Sequence, residues 1–334
     1  MSKFHLIKSP ISRALTLAGL ASLSSAAFAA DDVRFQLDWL PGGDKAPIYV
    51  GLAKGFFEEQ DLNVSVATGR GSNDAITKLA TNNADMGLSD LVALLMAKAE
   101  NDVPVSAVYS VFSEAPHAFF VLKDSGIDSV DDVAGKRIAT SPFTSSNVFL
   151  PLLLDVNGVD EDSIRLTKAD PGALSAMLIQ GNTDVVISWV TDTVKYEHRA
   201  QIANKSISVM PWYDAGLAFY STSVIGSDRF LAAQPEVAKR FVTAYAKAID
   251  YTWSHPEESG QIVHDMVPEV EAQTATDTIK SIKGLVINAV SERDGMGALT
   301  PERLATTWEW TAKAQGKAID SFDPETAVNR SVLK

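Results

Sequence analysis

The stretch FQLDWLPGG at residues 35–43 is the first clear element of secondary structure in the sequence. Its apolar residues Phe35, Leu37 and Trp39 alternate with polar ones, which is the pattern of a half-buried β-strand. The Pro-Gly-Gly that follows ends the strand, and a helix is predicted from about Lys45 to Gln60. A strand followed directly by a helix is the unit from which α/β folds are built.

The same unit recurs along the sequence. Further strands are predicted at 63–67, 84–88, 137–140, 164–167 and 184–189, and helices from 72, at 90–99, from 145, at 172–179 and at 191–203. Such alternation favours parallel sheets covered by helices on both faces. Because the series restarts after β-rich segments at 103–112 and 118–122, it predicts two sheets and therefore two lobes.

Beyond Ser223 the sequence turns mainly helical, and we expect these helices to pack back on the first lobe. The chain would then cross between the lobes twice, near 113–118 and 214–222. The predicted domains are a signal peptide at 1–29, lobe 1 at 30–115 and 219–334, and lobe 2 at 116–218.

The first residues have the pattern of a secretory signal. Lys3, Lys8 and Arg13 precede an apolar run at 14–23, and an Ala-Phe-Ala at 27–29 suits cleavage. A membrane anchor would need about 20 continuous apolar residues, and this run is shorter. Because the chain has no cysteine, it has no site for an N-terminal lipid anchor. We therefore expect a protein free in the periplasm with its signal removed.

Composition excludes several other classes. With 46% hydrophobic residues the chain can form a packed core, and a net charge of −13 disfavours nucleic acid as a partner. The absence of cysteine also excludes disulfides, thiolate metal sites and cysteine nucleophiles.

Catalytic signatures are missing from the sequence. It contains no G-x-S-x-G, no G-x-x-x-x-G-K-[ST], no H-E-x-x-H and no EF-hand pattern. The histidines at 117, 198, 255 and 264 lack metal-site spacing, and we interpret them as surface or hinge residues. The sequence thus predicts no metal, no cofactor and no enzymatic activity. The alternative is an enzyme with Asp38, Asp192 or His117 as acid–base groups.

Two loops between a predicted strand and helix carry candidate ligand-binding residues. The first, 69–74, brings Arg70 and the predicted N-cap Ser72 to a helix start. The second, 140–147, contains Phe143, Thr144, Ser145 and Ser146 at the end of a strand, where ligands of open α/β sheets bind. Capping of the helices is the alternative explanation for both loops.

Other candidates also lie at predicted strand ends. They are Trp39, Ser89, Trp189 with Asp192, and Asp214 after Trp212. Aromatic rings give contact area to a planar ligand, and a carboxylate binds its polar edge. Burial of each tryptophan in the core is the competing explanation.

Several segments resemble one known family, the periplasmic substrate-binding proteins related to binders of thiamine pyrimidine precursors, with taurine and alkanesulfonate binders as relatives. These segments are FQLDWLPGG at 35–43, APIYVGLAKGFF at 46–57, LNV at 62–64, NADMG at 83–87 and VDDVAGKRI at 130–138. The likeness extends over nearly the whole chain after the signal.

The resemblance implies a type II periplasmic-binding-protein fold, in which two α/β lobes joined by a two-strand hinge close around one small molecule and deliver it to an ABC permease. On this basis Asp38, Trp39, Tyr49, the loop 141–146, Trp189, Asp192 and Asp214 match ligand-side positions. The sequence departs from the pyrimidine binders at Gly42-Gly43-Asp44-Lys45, where they usually have Asn and then His.

Two ligand classes remain open for such a binder. The rings and the acids Asp38, Asp192 and Asp214 favour a nitrogen heterocycle or amine, whereas a sulfonate would require donors, for which Arg70 is the nearby guanidinium. Related enzymes that make the thiamine pyrimidine have a cysteine-rich motif, which this chain lacks. We therefore expect a monomeric binder rather than an enzyme.

Overall fold

The computed structural model describes Met1, residues 30–215 and residues 219–332, with backbone alone at 214 and 215. Apart from Met1, the predicted signal peptide lies outside the described residues. Within the described part, no helix has the length and apolar character needed to cross a membrane.

The strands form two separate five-stranded sheets. Their bounds are β1 Asp31–Gln36, β2 Leu62–Ala67, β3 Met86–Asp90, β4 Val105–Ser110, β5 His117–Leu122, β6 Arg137–Thr140, β7 Arg165–Lys168, β8 Val185–Trp189, β9 Ile207–Pro211 and β10 Thr222–Ser227. The first sheet has the order β2-β1-β3-β10-β4 and the second β7-β6-β8-β5-β9. Two sheets built from alternating strands and helices agree with the predicted α/β architecture.

Helices cover both sheets. They are α1 Ala46–Ala53, α2 Ser72–Ala80, α3 Leu91–Asn101, α4 Ser146–Val156, α5 Pro171–Ile179, α6 Thr193–Ile202, α7 Asp228–Ala233, α8 Pro235–Ser254, α9 Pro256–Met266, α10 Ala272–Ser281, α11 Lys283–Val286, α12 Ala289–Asp294 and α13 Pro301–Ala314.

Each sheet contains antiparallel strands where the chain enters from the other sheet. In the first sheet β1 runs parallel to β2 and β3, but β10 is antiparallel to β3 and β4. In the second, β5 is likewise antiparallel to β8 and β9. The chain passes from β4 in the first sheet to β5 in the second, and returns from β9 to β10. The sheets are therefore mixed rather than purely parallel.

The core of the first lobe contains side chains from helices near the end of the chain. Phe35 of β1 stacks on Phe241 of α8 with ring centroids 5.3 Å apart, and Phe57 stacks on the same ring at 5.1 Å. All three side chains are buried. Stacked rings of this kind add to the burial energy, so α8 holds β1 and the segment after α1 in place.

The first predicted strand and helix end earlier than expected. β1 stops at Gln36, whose buried side-chain amide donates to the carbonyl oxygens of Leu37 at 2.9 Å and Thr68 at 2.8 Å. The following helix is α1 rather than a helix to residue 60. Trp39 therefore lies in a loop and not in a strand.

Ser72 is not the N-cap of α2, contrary to the prediction. Gly71 occupies that position, and the Ser72 hydroxyl instead accepts a hydrogen bond from the Asp90 N–H at 3.1 Å. Gly71 has a φ of 153°, and a Cβ there would lie 2.3 Å from the carbonyl group of Phe143. A glycine is required at this point because the two lobes touch.

Candidate functional site

The ends of strands from both lobes meet around one cavity. It contains about 320 Å³ of space between atoms, part of it open to solvent. Its lining comes from the loops after β1, β6 and β8 and from the start of α2: Asp38, Trp39, Asp44, Gly71, Ser72, Thr144, Ser188, Trp189, Thr191 and Asp192. The cavity lies outside the carboxyl ends of strands, where ligands of open α/β sheets bind.

A buried lysine lies directly behind the acidic wall of this cavity. The Lys45 ammonium is 2.6 Å from Asp38 Oδ1 and 3.0 Å from Asp44 Oδ2, and its side chain is fully shielded from solvent. Burial alone would lower the pKa of Lys45, but the two carboxylates outweigh that effect and raise it above its ordinary value. Lys45 is therefore held as an ammonium.

Two carboxylates share this one cation. Burial raises the pKa of Asp44, and Lys45 opposes that shift. Among the described residues, no group other than Lys45 donates to either oxygen of Asp38. Asp38 lines the cavity, and a carboxylate can accept hydrogen bonds from the N–H groups of a ligand.

The wall from the second lobe adds a third carboxylate and an aromatic ring. Asp192 accepts a hydrogen bond from Ser188 and forms an ion pair with Lys195. The Trp189 ring lies beside it, with the Lys45 ammonium 5.7 Å from the ring centroid. Together with Trp39, this ring provides flat apolar surface between acidic groups.

A buried polar chain runs from Trp189 to the first lobe. The Trp189 indole N–H donates to Ser146 Oγ at 3.2 Å, and that oxygen lies 2.9 Å from Nδ1 of His117. Nε2 of His117 is 3.4 Å from Asp90 Oδ2, and the same carboxylate oxygen accepts from Ser145 Oγ at 2.6 Å. Asp90 belongs to the first lobe and the other residues to the second or to the crossing segment, so the chain links the lobes.

The buried groups in this chain have shifted pKa values. Burial raises the pKa of Asp90 to about 7, although hydrogen bonds from Ser145, the Val92 N–H and Ser221 act in the opposite direction. Burial lowers the pKa of His117 to about 3. Near neutral pH the histidine is therefore neutral, and the carboxyl group is balanced between its two protonation states.

The structure brings some of the predicted site residues together. Asp38, Trp39, Thr144, Trp189 and Asp192 all line the cavity, and they come from both lobes. Their role in binding a ligand stays a prediction.

Other predicted residues lie behind the cavity wall or outside it. Tyr49 is buried in the core of the first lobe, and Ser89 is buried with its hydroxyl donating to the Asp90 carbonyl at 3.1 Å. Ser145 and Ser146 belong to the polar chain between the lobes.

The remaining three candidates differ from one another. Arg70 pairs with Asp74 at 3.1 Å and packs over the ring of Phe143 with its guanidinium 4.8 Å from the ring centroid. This contact joins the lobes at the outer edge of the cavity. The backbone of Asp214 lies in the short helical turn Trp212–Ala215, and its side chain lies outside the described part.

Sequence reasoning missed Lys45, Asp44 and the role of Asp90. It also interpreted His117 as a surface or hinge residue, whereas the side chain is completely buried beside the crossing between the lobes. One signal in the sequence could have identified Lys45. It belongs to the Gly-Gly-Asp-Lys segment, where this chain departs from the pyrimidine binders that it resembles. No group of three or more potential metal ligands occurs in the part of the chain that the structure describes.

The chain is similar in sequence to proteins of one known family. The profile of the family described as "NMT1/THI5 like" matches residues 43–259. A curated relative, the 4-amino-5-hydroxymethyl-2-methylpyrimidine phosphate synthase of Legionella pneumophila, is 25% identical over 285 residues, which are 80% of this chain and 85% of the relative.

Solved structures share the fold at lower identity. The alkanesulfonate-binding protein of Xanthomonas axonopodis pv. citri, bound to MOPS, has a TM-score of 0.71 and 15% identity and covers 91% of this chain and 100% of that chain. The ligand-binding component of an ABC-type import system from Staphylococcus aureus has a TM-score of 0.67 and 12% identity, with 90% and 97% covered. These matches confirm the predicted periplasmic-binding-protein fold.

The expectation that the chain is not an enzyme is corrected by the relatives. Curated proteins that align with most of this chain are named as a pyrimidine phosphate synthase, which is an enzyme, at about a quarter identity. The lack of cysteine and of familiar catalytic motifs therefore does not separate this sequence from enzymes.

Proposed function

Because this chain belongs to the NMT1/THI5-like family, as the resemblance predicted, we propose that it captures a small nitrogen-containing ring compound of the pyrimidine class in the cavity between its lobes. In this role it is exported to the periplasm without a lipid anchor, works as a monomer and delivers its ligand to an ABC permease. The fold it shares with ligand-binding components of import systems supports that role.

One observation carries the choice of ligand. The cavity has three carboxylates, Asp38, Asp44 and Asp192, beside two tryptophan rings, and the nearest cations, Lys45 and Lys195, are already paired with those carboxylates. An aminopyrimidine offers a flat ring for the tryptophans and N–H donors for the carboxylates. Closure of the lobes around the ring would bury both kinds of contact.

A sulfonate suits the same cavity less well. Its oxygens accept hydrogen bonds and need cationic or N–H donors. No guanidinium lines the cavity within the described residues, and Arg70 is paired with Asp74 with about half of its side chain exposed. The cavity therefore offers a sulfonate hydroxyl groups and the start of α2, but no guanidinium.

The test is a calorimetric titration of the purified protein with 4-amino-5-hydroxymethyl-2-methylpyrimidine, and separately with taurine and MOPS. Binding of the pyrimidine alone is the expected result. Thermal unfolding provides a second readout, because a ligand at a hundredfold excess over its Kd stabilises the folded state by about 2.7 kcal/mol. Binding of the sulfonates with no response to the pyrimidine would overturn the proposed ligand class.

Paired variants locate the site. Asp192→Asn removes a carboxylate from the cavity, whereas Asp184→Asn removes one at the opposite end of β8, where Asp184 pairs with Arg137 at 2.7 Å. The first is expected to weaken pyrimidine binding about tenfold, which corresponds to one charge-assisted hydrogen bond. The second is expected to leave it unchanged. Equal effects would remove Asp192 from the site.

The enzyme names of the curated relatives favour a second candidate function, chemical conversion of a ring compound in the same cavity. Mass spectrometry of the ligand recovered after prolonged incubation separates the two functions. An unchanged pyrimidine supports capture and delivery, and an altered one supports conversion.

A further inference from the structure

His117 is buried among aromatic rings at the point where the chain crosses from the first lobe to the second. It is the first residue of β5, and its side chain has no exposed surface. The rings around it, with centroids 5.4–6.0 Å from its own, are those of Phe149, Trp189, Trp212 and Phe219. Packing alone would suit a phenylalanine here. The two ring nitrogens therefore need partners, because a buried polar atom is costly unless it is hydrogen-bonded.

The hydrogen bonds of Ser146 determine which nitrogen of His117 carries the proton. Ser146 Oγ accepts from the Trp189 indole N–H at 3.2 Å and from the Thr144 hydroxyl at 3.3 Å, and it lies 2.9 Å from His117 Nδ1. A hydroxyl group has two acceptor lone pairs and one O–H. Because two donors occupy the lone pairs, the Ser146 O–H is donated to Nδ1. Neutral His117 thus carries its proton on Nε2, which lies 3.4 Å from Asp90 Oδ2.

The donors of this polar chain therefore all point from the cavity wall toward Asp90. A change of His117 to the other tautomer would place a third donor on Ser146 Oγ, which can accept only two. Either the indole of Trp189 or the hydroxyl of Thr144 would then lose its partner. Both of these residues line the cavity, so the tautomer of a histidine behind the wall affects groups that face a ligand.

The surroundings of Asp90 allow its charge to change. Two titratable side chains act on it from other elements: His117 of β5, and Asp38 of the loop after β1, whose negative charge opposes ionisation. Its neutral donors are Ser145 Oγ at 2.6 Å, the Val92 N–H at 3.1 Å and the hydroxyl of Ser221. Ionised Asp90 favours the Nε2–H tautomer of His117, because that tautomer directs a donor at the carboxylate. Protonated Asp90 removes this preference.

We propose that His117 and Ser146 are positioning residues, which connect Asp90 to the cavity and hold the Trp189 ring in the orientation that contacts the ligand. This inference rests on the proposed function for the contact between the ring and the ligand. His117 transmits the charge state of Asp90 to Ser146 through its tautomer, and Ser146 orients the indole. The affinity of the cavity is then controlled by a carboxyl group that does not line it.

The first test observes the Trp189 ring without any ligand. The protein is labelled with 5-fluorotryptophan, and the fluorine NMR resonance that disappears in Trp189→Phe identifies this residue among the six tryptophans. In the wild-type protein this resonance is expected to shift with pH, with a midpoint at about pH 7, where Asp90 changes charge. Asp90→Asn should remove that step. His117→Phe should also remove it, because it keeps a ring among the aromatic side chains and loses both nitrogens.

Other charged groups near the ring are separated by the same variants. Lys45 lies 5.7 Å from the centroid of the Trp189 ring, and Asp44 and Asp192 line the cavity with it. A titration that remains in Asp90→Asn belongs to these groups. Absence of the step in the wild-type protein, or a step that persists in His117→Phe, would overturn the role of His117.

The second test asks whether Ser146 acts on the ligand through Trp189 or directly. Ser146→Ala is expected to weaken calorimetric binding of 4-amino-5-hydroxymethyl-2-methylpyrimidine about fivefold, as for the loss of one hydrogen bond between neutral groups. In the Trp189→Phe background the same substitution should have no further effect, because the indole N–H is already absent. Unchanged affinity in Ser146→Ala, or losses that add in the double variant, would overturn the positioning role of Ser146.

Ser106→Ala is the matched control for these measurements. Ser106 is a buried serine near the start of β4, and its hydroxyl donates to Asp228 at 2.6 Å. Its substitution should change neither the Trp189 resonance nor the affinity. If the pyrimidine does not bind but the resonance responds as expected, the positioning role stands and the proposed ligand class falls. If the pyrimidine binds and the resonance does not respond, the proposed function stands and the positioning role falls.

Discussion

Asp38 and Asp90 are two buried carboxylates that follow neighbouring strands of the same sheet, yet their surroundings differ in kind. Asp38, after β1, lies 2.6 Å from the buried Lys45 ammonium. Asp90, at the end of β3, has hydroxyl and backbone N–H donors and a histidine at 3.4 Å, and no lysine or arginine of the described residues pairs with it. Both side chains are almost completely shielded from solvent.

The difference shows how one fold can use the same residue type for two purposes. A carboxylate paired with an ammonium keeps its charge, because moving either ion alone into the interior is costly. A carboxyl group with neutral partners can lose its charge by taking up a proton, and its pKa of about 7 reflects that balance. The first arrangement places a carboxylate–ammonium pair beside the cavity, and the second places between the lobes a carboxyl group that can take up or release a proton near neutral pH.

The largest expected effect comes from removing the cation beside Asp38. Lys45→Met leaves two buried carboxylates without their shared partner, and such a change typically costs about 3–5 kcal/mol of unfolding free energy. Urea unfolding followed by circular dichroism measures it. Adding Asp38→Asn to Lys45→Met should recover part of the loss, because one uncompensated charge is then removed.

Lys280→Met is the matched control, since Lys280 pairs with Glu257 at 2.7 Å on the exposed surface. Exposed ion pairs contribute little to stability, so its unfolding midpoint should stay close to that of wild type. A Lys45→Met protein as stable as this control would show that the buried cluster does not depend on its cation.

The second prediction concerns pH and the pair Asp90–His117. Burial raises the pKa of Asp90 from 3.8 to about 7 and lowers that of His117 from 6.5 to about 3. Between pH 4 and 6.5 the folded pair therefore holds one proton, on Asp90, and the unfolded pair also holds one, on the histidine. Because the proton numbers are equal, this pair should make almost no contribution to the pH dependence of stability in that window.

Each single variant should make stability depend on pH, and the two dependences should have opposite signs. In Asp90→Asn only His117 remains, the unfolded state binds more protons, and stability rises with pH from about 4 to 6.5. In His117→Gln only Asp90 remains, the folded state binds more protons, and stability falls as pH rises from about 4 to 7. Each change is on the order of 3 kcal/mol across its window. Urea titrations at several pH values measure the slopes, and slopes of the same sign in both variants would contradict the assignment.

The fold was predictable because its signals are local. Alternation of short apolar strands with helices, visible from residue 35 onward, predicts mixed layers of strands and helices without any long-range information. The antiparallel direction of β5 and β10 was not predicted, because it depends on which sheet the incoming chain joins. The end of β1 at Gln36 was also missed, because the apolar alternation of the sequence continues to Trp39.

The site was predictable only in part, because the local sequence does not indicate which residues become buried between the lobes. Trp189 and Asp192 were identified by their position at a strand end. Lys45 follows Gly-Gly-Asp in a segment that looks exposed, and its pairing with Asp38 requires the turn after β1. Ser145 and Ser146 were predicted to bind the ligand, whereas in the structure their hydroxyls contact Asp90 and His117.

Trp189 links the two carboxylate environments, so it offers a third and smaller test. Its ring faces Lys45, and its N–H donates to Ser146 of the polar chain. Trp189→Ala should weaken pyrimidine binding by more than about tenfold, because an aromatic wall of the cavity is lost. Trp189→Phe keeps a ring and loses only the hydrogen bond, so a loss of several-fold is expected. Calorimetry measures both, and identical losses would assign the whole effect to the N–H.

The smallest effect is expected at Arg70, which belongs neither to the Lys45 cluster around Asp38 nor to the polar chain around Asp90. Its guanidinium is paired with Asp74 and rests on Phe143 at the edge of the cavity, with about half of the side chain in solvent. Arg70→Gln should therefore change pyrimidine affinity by less than about twofold, as for other exposed ion pairs. If the cavity needed this exposed guanidinium, as a sulfonate would demand, the same variant would abolish binding of taurine and MOPS. Titrating the variant with all three compounds thus separates a ligand that uses the buried carboxylates from one that uses the exposed cation.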